Sequence, residues 1–338
     1  MHNIGTDHLV GVGPNGEAPS TADSVDLSAK EIGDLRDKEY TVTILFHHLK
    51  TAWTQLQRRG LEERFADLGI TIDGVYGAEF DAGHQVDHLK QIATSDTDAL
   101  VSIPVDTAAT AAAYRAVADA GIRIVFMDNV PDGFIHGDEY SGCVSSDNEG
   151  VGMVAGRFLR EFVGEGSVGM INFDAPFYVT DQRERGARSV LEKADRIDIV
   201  AENGFTDPDN VSGIAEAMVN DHPELDGLFV SWSDPPCVQT ATSLTSAGVD
   251  DLVLTTTGLS TETVEIIGNG GLIKATGAQF PYQQGIIEAN MVGKALLGKR
   301  TPPYIASGSL PVYRGNLEEQ YVKHYQTELP DALRSFLL

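Results

Sequence analysis

Nine side chains of the chain are suited to holding a small molecule, and each comes at or shortly after the predicted end of a β-strand. They are His47, Thr51, Trp53, Asp128, Asn129, Arg183, Trp232, Asp234 and Gln279. Aromatic rings stack on the apolar face of a sugar or polyol, while carboxylates, amides and a guanidinium bond its hydroxyls. The set contains no nucleophile with a neighbouring base. It therefore favours binding over catalysis, although an enzyme on the same scaffold stays an alternative.

The segment 179–193 places three arginines, Arg183, Arg185 and Arg188, within six residues of an otherwise acidic chain. Its spacing predicts a helix that opens at Thr180 or Asp181, with Asp181 and Glu184 forming a capping box. An apolar stripe follows at helical spacing, formed by Ala187, Val190 and Leu191. Arg183 lies on the face of that stripe, whereas Arg185 and Arg188 lie on the other side. Arg183 is thus predicted to point inward, either towards a ligand or as the neutralising partner of a nearby carboxylate.

Composition narrows the range of partners. The formal net charge is −26, from 24 basic and 50 acidic residues. This balance argues against nucleic acid or an anionic membrane as the main ligand. No apolar run approaches the roughly 20 residues of a membrane span. The N-terminus lacks the basic start and apolar core of a signal peptide, so we expect either an internal protein or a signal segment that is absent from this sequence.

Metal and nucleotide chemistry find little support. His84 and His88 are four residues apart on a predicted helix, with Asp87 beside them, but the sequence places no third ligand. There is no glycine-rich nucleotide loop at the first helix and no Walker lysine. Cys143 and Cys237 are the only cysteines, and the sequence does not decide whether they form a disulfide. We expect neither a metal nor a cofactor.

The elements that position the nine candidates alternate regularly along the chain. Residues 1–39 are rich in Gly, Pro, Ser and Asp, and we expect a flexible arm with one short helix. Strand and helix patterns then alternate in two successive series, closed by two further helices and two strands. Such alternation indicates parallel sheets covered on both faces, and two series indicate two doubly wound α/β lobes. Ligands of open parallel sheets bind outside the carboxyl ends of the strands, which is where the candidates fall.

Several stretches over residues 40–313 resemble the type I periplasmic sugar-binding proteins of ABC transporters, close to the ribose-binding proteins. The most specific are "SIPVDTAAT", "VFMDN", "VSSDNEGVGMVAGRFL", "DQRERG" and "LIKATGAQFPYQQG". The resemblance implies a ring at Trp53 against the sugar. It also implies that Asp128, Arg183 and Gln279 bond the sugar's hydroxyls.

The resemblance also implies the domain organisation and the biology. The N-terminal lobe would take residues 40–145 and 280–308, and the C-terminal lobe 146–279 and 309–338, joined by a hinge of three crossovers. The two lobes would close on a ligand in the cleft between them, and a membrane permease would recognise the closed form. The protein is then expected to be a monomer outside the cytoplasm, in the periplasm or attached to the cell surface.

Departures from the ribose-binding pattern bear on the ligand. Ribose binders carry a short polar residue where this chain has His47, an Asn where it has Ile103 and an Asn where it has Trp232. The Asp usual after the ninth strand is replaced near Leu259. This bulkier lining suggests a small linear polyol or a modified pentose. The effector-binding domain of a LacI-type regulator shares the fold and stays an alternative, although the acidic N-terminal stretch supplies no DNA-binding segment.

Overall fold

The computed structural model describes residues 8–175 and 177–337. Strands and helices alternate along most of this part of the chain, as the hydrophobic pattern predicts. The strands are β1 (Thr41–Phe46), β2 (Thr71–Gly77), β3 (Ala99–Ser102), β4 (Arg123–Met127), β5 (Gly142–Ser146), β6 (Gly166–Phe173), β7 (Ile197–Phe205), β8 (Leu225–Val230), β9 (Val253–Thr257), β10 (Ile273–Ala278), β11 (Tyr304–Ser307) and β12 (Leu310–Tyr313).

The helices separate most of these strands. They are α1 (Ala29–Arg36), α2 (Ala52–Leu68), α3 (Ala82–Ile92), α4 (Ala111–Asp119), α5 (Asn148–Val163), α6 (Tyr178–Leu191), α7 (Ser212–Asp221), α8 (Val238–Ser246), α9 (Thr261–Gly268), α10 (Pro281–Leu296), α11 (Leu317–Tyr325) and α12 (Asp331–Arg334). No helix in the described ranges combines the length and the apolar character needed to cross a membrane.

The chain divides into two compact units. The first lobe comprises Val12–Ser146 and Pro281–Ser307. The second lobe comprises Asp147–Phe280, the residues from Gly308 onward and, of the described residues, those up to Gly11. Each lobe therefore contains segments that are distant in sequence, and the chain passes from one lobe to the other at four points.

The first lobe is built on a six-stranded parallel sheet with the order β11-β5-β4-β3-β1-β2. Apart from the edge strand β2, its strands are buried on both faces, as expected for a parallel sheet covered by helices. Helices α2 and α10 pack closely because glycines line their contact. A Cβ at Gly60 would meet the Tyr282 carbonyl oxygen at 2.1 Å, and one at Gly285 would meet the Gln57 carbonyl oxygen at 2.2 Å.

The N-terminal segment belongs to this first lobe, and the expectation of a flexible arm is wrong for its described part from Val12 onward. Val25 and Leu35 are fully buried in the hydrophobic core of the lobe. Helix α1 opens with a capping box at Ser28, and Glu31 pairs with Lys294 and Lys299 of the α10 region at 2.7 Å each. These ion pairs hold the pKa of the Glu31 carboxyl far below its usual range. Composition misled here because two buried apolar side chains and one ion-pair cluster are enough to anchor a polar segment.

The second lobe has a six-stranded sheet with the order β12-β10-β9-β8-β6-β7. All neighbours are parallel except β12, which pairs with β10 in the antiparallel direction.

The prediction that two strands and two helices close the chain is wrong. After β9 the chain forms β10, β11 and β12 with α9 to α12, and the two short strands β11 and β12 lie in different sheets. Four-residue strands leave too short a pattern for periodicity to separate them.

Candidate functional site

In the second lobe, α6 begins earlier than the sequence predicts. The helix starts at Tyr178 after Phe177, whose backbone is extended, and the expected capping box is wrong. Glu184 instead accepts hydrogen bonds from the Phe173 backbone N–H, at 2.7 Å, and from the Ser231 hydroxyl. Glu184 thus ties α6 to the ends of two strands rather than to its own first turn. Burial raises the pKa of this carboxyl.

Arg183 lies on the inner face of α6, as the helical spacing predicts. It is 9% exposed, whereas the side chains of Arg185 and Arg188 are 54% and 33% exposed and pair with surface glutamates. The Arg183 Nε donates to Asn148 Oδ1 at 2.8 Å. With its amide oxygen turned to the guanidinium, Gln279 accepts from Nη2 at 2.6 Å and from Nη1 at 3.2 Å. Two neutral amides therefore fix the plane of this cation.

The close packing of α5 on α6 places Arg183. A Cβ at Gly152 of α5 would meet the Arg183 carbonyl oxygen at 1.8 Å, and one at Gly186 of α6 would meet the Glu149 carbonyl oxygen at 2.1 Å. Glycine at both positions lets the two backbones touch. Asn148, the first residue of α5, comes within reach of Arg183 for the same reason.

Gln279, the other amide partner, follows β10 and is 4% exposed. Its backbone carbonyl lies 2.9 Å from His324 Nδ1 on α11. Burial lowers the pKa of His324 to about 4, so the imidazole is neutral at neutral pH and donates through Nδ1–H. His324 is not recognisable from the sequence, because nothing in the spacing of α11 connects it with β10.

Trp232 follows β8 with a left-handed backbone, φ 64°. Its ring lies in an aromatic cluster, 4.5 Å from the ring of Phe173 and 5.8 Å from that of Phe205. The indole Nε1 donates to Thr180 Oγ1 at 2.9 Å. Asp234, two residues on, is exposed. Partial desolvation of its carboxyl first, and the charges of Glu262 and Asp209 second, raise its pKa. Trp232 is therefore half-buried and held by its own lobe, while Asp234 lies at the surface.

In the first lobe, Asp128 and Asn129 follow β4. Asp128 is 5% exposed, has a left-handed backbone with φ 56°, and accepts from Ser145 Oγ of β5 at 2.6 Å. Asn129 is 3% exposed, and its Oδ1 has no hydrogen-bond partner among the described residues. A non-glycine residue held at positive φ is uncommon and often marks a functional position. The Asp128 carboxylate is thus oriented by Ser145, while the buried Asn129 Oδ1 is left available as an acceptor.

A ring cluster follows β1 and β2 in the same lobe. His47 lies 4.4 Å from His48, 5.8 Å from Trp53 and 5.0 Å from Phe80, measured between ring centroids. His47 Nδ1 is buried without a hydrogen-bond partner among the described residues. Burial first, and the neighbouring His48 second, lower the pKa of His47 well below its usual value. His47 is therefore a neutral imidazole, which suits an uncharged ligand.

Two members of the region have roles that the sequence analysis did not assign. Thr51 caps α2 by accepting from the Thr54 backbone N–H at 3.3 Å. Phe80 was missed, although its ring stacks on His48 at 4.7 Å and is 61% exposed with φ 58°. A lone Phe after a strand carries no signal until the neighbouring strand end is placed beside it. Cys143 and Cys237 are both buried free thiols.

The lobes thus each place aromatic rings and oriented polar groups after their strands. The first lobe offers Asp128 and Asn129 with the rings of His47 and Trp53. The second lobe offers Arg183 with Gln279, but whether these residues touch a ligand stays a prediction. Within the described residues, no group of three or more His, Cys, Asp and Glu could hold a metal ion.

Residues 42–300 match the family model of the periplasmic binding protein domain. A D-ribose/D-allose-binding protein of Pseudomonas aeruginosa is 25% identical over 253 residues, which are 74% of this chain and 79% of that protein.

Solved structures share the fold. A periplasmic solute-binding protein of an ABC transporter from Actinobacillus succinogenes, with bound D-allose, has a TM-score of 0.76 at 20% identity. The similarity covers 83% of this chain and 100% of that one. A carbohydrate transporter solute-binding protein from Agrobacterium radiobacter, in complex with D-arabinose, has a TM-score of 0.73 at 18% identity, covering 85% and 99%.

Proposed function

The chain belongs to the family of periplasmic binding protein domains, and we propose that it is a solute-binding protein of an ABC transporter for a small neutral sugar or polyol. One observation carries the choice of ligand. Asp128 in one lobe and Arg183 in the other are buried charges, each oriented by neutral partners. A hydroxyl both donates to a carboxylate and accepts from a guanidinium, so a polyhydroxylated molecule satisfies both groups without a charge of its own.

Rings on both lobes support a ligand with an apolar face. The ring of Trp53 contacts that of His47 in the first lobe, and the ring of Trp232 contacts that of Phe173 in the second. Aromatic rings stack on the C–H face of a sugar while the polar groups bond its edge. The names of the relatives, which include ribose, allose and arabinose binders, support a pentose- or hexose-sized molecule.

Binding rather than catalysis is the proposed activity. We propose that one molecule engages residues of both lobes, so that ligand stabilises the closed form of the protein. The closed form would be recognised by the membrane permease, and the protein would act outside the cytoplasm as a monomer. The relatives are transport proteins, which argues against the effector domain of a LacI-type regulator.

A thermal-shift screen tests this proposal. Pentoses, hexoses and four- to six-carbon polyols are compared with amino acids and nucleotides at equal concentration. A ligand at 100 times its dissociation constant adds about 2.7 kcal/mol to the free energy of unfolding, which raises the melting temperature measurably. The proposal expects a shift from at least one sugar or polyol. A shift from an amino acid or nucleotide alone would overturn it.

A further inference from the structure

Glu288 is a fully buried carboxyl group in the first lobe. It lies on α10, and its Oε1 accepts a hydrogen bond from Gln57 Nε2 of α2, 2.5 Å away. Gln57 is itself fully buried. Glu288 Oε2 has no hydrogen-bond partner among the described residues, and no lysine, arginine or histidine of that part of the chain pairs with it. A carboxylate in this position would be an uncompensated charge in the interior, which is costly.

The face of α10 that carries Glu288 is directed at the strand ends of the candidate site. Gln284, one turn earlier on the same face, accepts from Ser146 Oγ at 3.4 Å. Ser145, the neighbour of Ser146 on β5, donates to Asp128. Helix α10 also packs on β4 and β5, the strands that hold Asp128 and Ser145. Glu288 thus lies in the interior of the lobe, on a helix that packs against the strand preceding Asp128.

The charged groups around Glu288 would set its protonation state. Burial raises its pKa well above the usual value, and the negative charge of Asp128 adds to that rise. From β5, burial of the Cys143 thiol raises its pKa well above the usual value, and the charges of Asp128, Glu17 and Glu288 add to that rise. From α2, the facing group is the neutral Gln57 amide, and Arg64 is bonded to Asn290 instead.

The nearest lysine of the same helix is also engaged elsewhere. Lys294 of α10 pairs with Glu31 of α1 at 2.7 Å. No cation of the described residues therefore neutralises Glu288 directly, and a proton is the remaining way to do so. The protonated carboxyl is neutral and can stay in the interior beside Asp128.

We propose that Glu288, held as a neutral protonated acid, is a positioning residue whose lack of charge leaves the Asp128 carboxylate in its orientation towards hydroxyl groups. Loss of the Glu288 proton would put a second negative charge into the interior of the lobe that holds Asp128. The two carboxylates would repel each other, and the Asp128 side chain would be displaced from the position in which Ser145 holds it. Sugar affinity would then fall as the solution becomes alkaline. This role rests on the proposed function, but the coupling between the two carboxyls does not.

Infrared spectroscopy of the full chain tests the coupling without any ligand. The carbonyl band of a protonated carboxylic acid should be present at neutral pH and partly lost in Glu288→Gln, which keeps the shape of the side chain and cannot ionise. Glu62→Gln makes the same substitution at a side chain of α2 that is 41% exposed and paired with Arg58, and it should leave the band unchanged. In Asp128→Asn the Glu288 band should disappear at a lower pH than in the wild type, because the repelling charge is gone. Disappearance at the same pH in both proteins would overturn the proposal, as would a band that Glu288→Gln does not change.

Calorimetry with D-ribose and D-allose from neutral to about pH 10 tests the consequence for binding. Wild-type affinity should fall about tenfold or more across the alkaline range, because a repulsion that shifts a pKa by about one unit changes an equilibrium constant about tenfold. The affinity of Glu288→Gln should stay the same over this range. Parallel wild-type and mutant profiles would overturn the positioning role. If no sugar binds, the proposed function fails while the infrared result still decides the coupling. Circular dichroism at each pH confirms that the variants are folded.

Discussion

The guanidinium of Arg183 lies 2.6 Å from the side-chain amide of Gln279 within the second lobe. Arg183 comes from the first turns of α6, and Gln279 follows β10. Asn148 holds the Nε of the same guanidinium from α5, so three separate elements orient one cation. This arrangement presents a planar fork of donors at the strand ends.

Replacing Arg183 should weaken sugar binding more than replacing its neighbours. Arg183→Lys keeps the charge but loses the planar fork, so affinity should fall by about 1.5–3 kcal/mol. Arg185→Ala and Arg188→Ala remove surface pairs and should leave affinity nearly unchanged. Isothermal titration of the three variants with one sugar measures this. Equal losses at all three positions would show that Arg183 has no special part in binding.

Fluorescence should report ligand binding, because Trp53 and Trp232 are the only tryptophans and both follow strands at the candidate sites. Both are partly exposed, so each ring can exchange water for ligand or protein contacts. Trp53→Ala should cost about 1–3 kcal/mol in affinity as a lost aromatic anchor. Trp232→Ala should also lower stability, because its ring packs on Phe173 and Phe205. A spectrum that does not change at saturating sugar would contradict this account of the two rings.

A methyl group at Gly152 should displace Arg183. Its Cβ would lie 1.8 Å from the Arg183 carbonyl oxygen, so α5 and α6 must move apart. We expect Gly152→Ala to lower the free energy of unfolding by about 1–3 kcal/mol and to weaken sugar binding as well. Gly213→Ala is the matched control in the same lobe, because a Cβ there meets nothing within 4 Å. The control should be neutral or stabilising by about 0.4–1 kcal/mol. Chemical denaturation of both variants decides between these outcomes.

Acid should destabilise the second lobe through His324. Its pKa is lowered to about 4 by burial, so between that value and the ordinary value near 6.5 the unfolded chain binds a proton that the folded chain does not. Stability from this group is therefore fully present above about pH 6.5 and is lost as the pH falls towards 4. The loss amounts to at most about 3 kcal/mol. His324→Gln should flatten this part of the pH profile of unfolding, and an unchanged slope would exclude His324 as its source.

Periodicity was sufficient for the alternating architecture and for the inward face of Arg183. It failed at the start of α6, because Glu184 bonds to Phe173 and Ser231, residues that only the folded sheet brings near. It also failed for the N-terminal segment, where buried Val25 and Leu35 are too sparse to form a pattern. Helix boundaries and anchoring contacts depend on tertiary neighbours that a local pattern does not contain.

Residues missed at the candidate site share one property: their role depends on a partner from a distant element. Phe80 belongs to the ring cluster because it stacks on His48, and His324 supports the site because it is hydrogen-bonded to the Gln279 carbonyl. Glu288 had a visible signal, since it is a lone acid within the apolar run "GIIEANMVGKAL". An acid in the interior of an apolar helix deserves to be treated as a candidate site before the structure is known.

The central claim is that one neutral sugar is bound by residues of both lobes. Calorimetric titration of the wild type, Asp128→Asn and Gln279→Leu with the best sugar from the screen tests it most directly. We expect one sugar per chain, with affinity reduced by about 1–3 kcal/mol in each variant, because each loses hydrogen bonds from a different lobe. A sugar that binds both variants as tightly as the wild type would contradict the account, and so would a chain that binds no sugar or polyol at all.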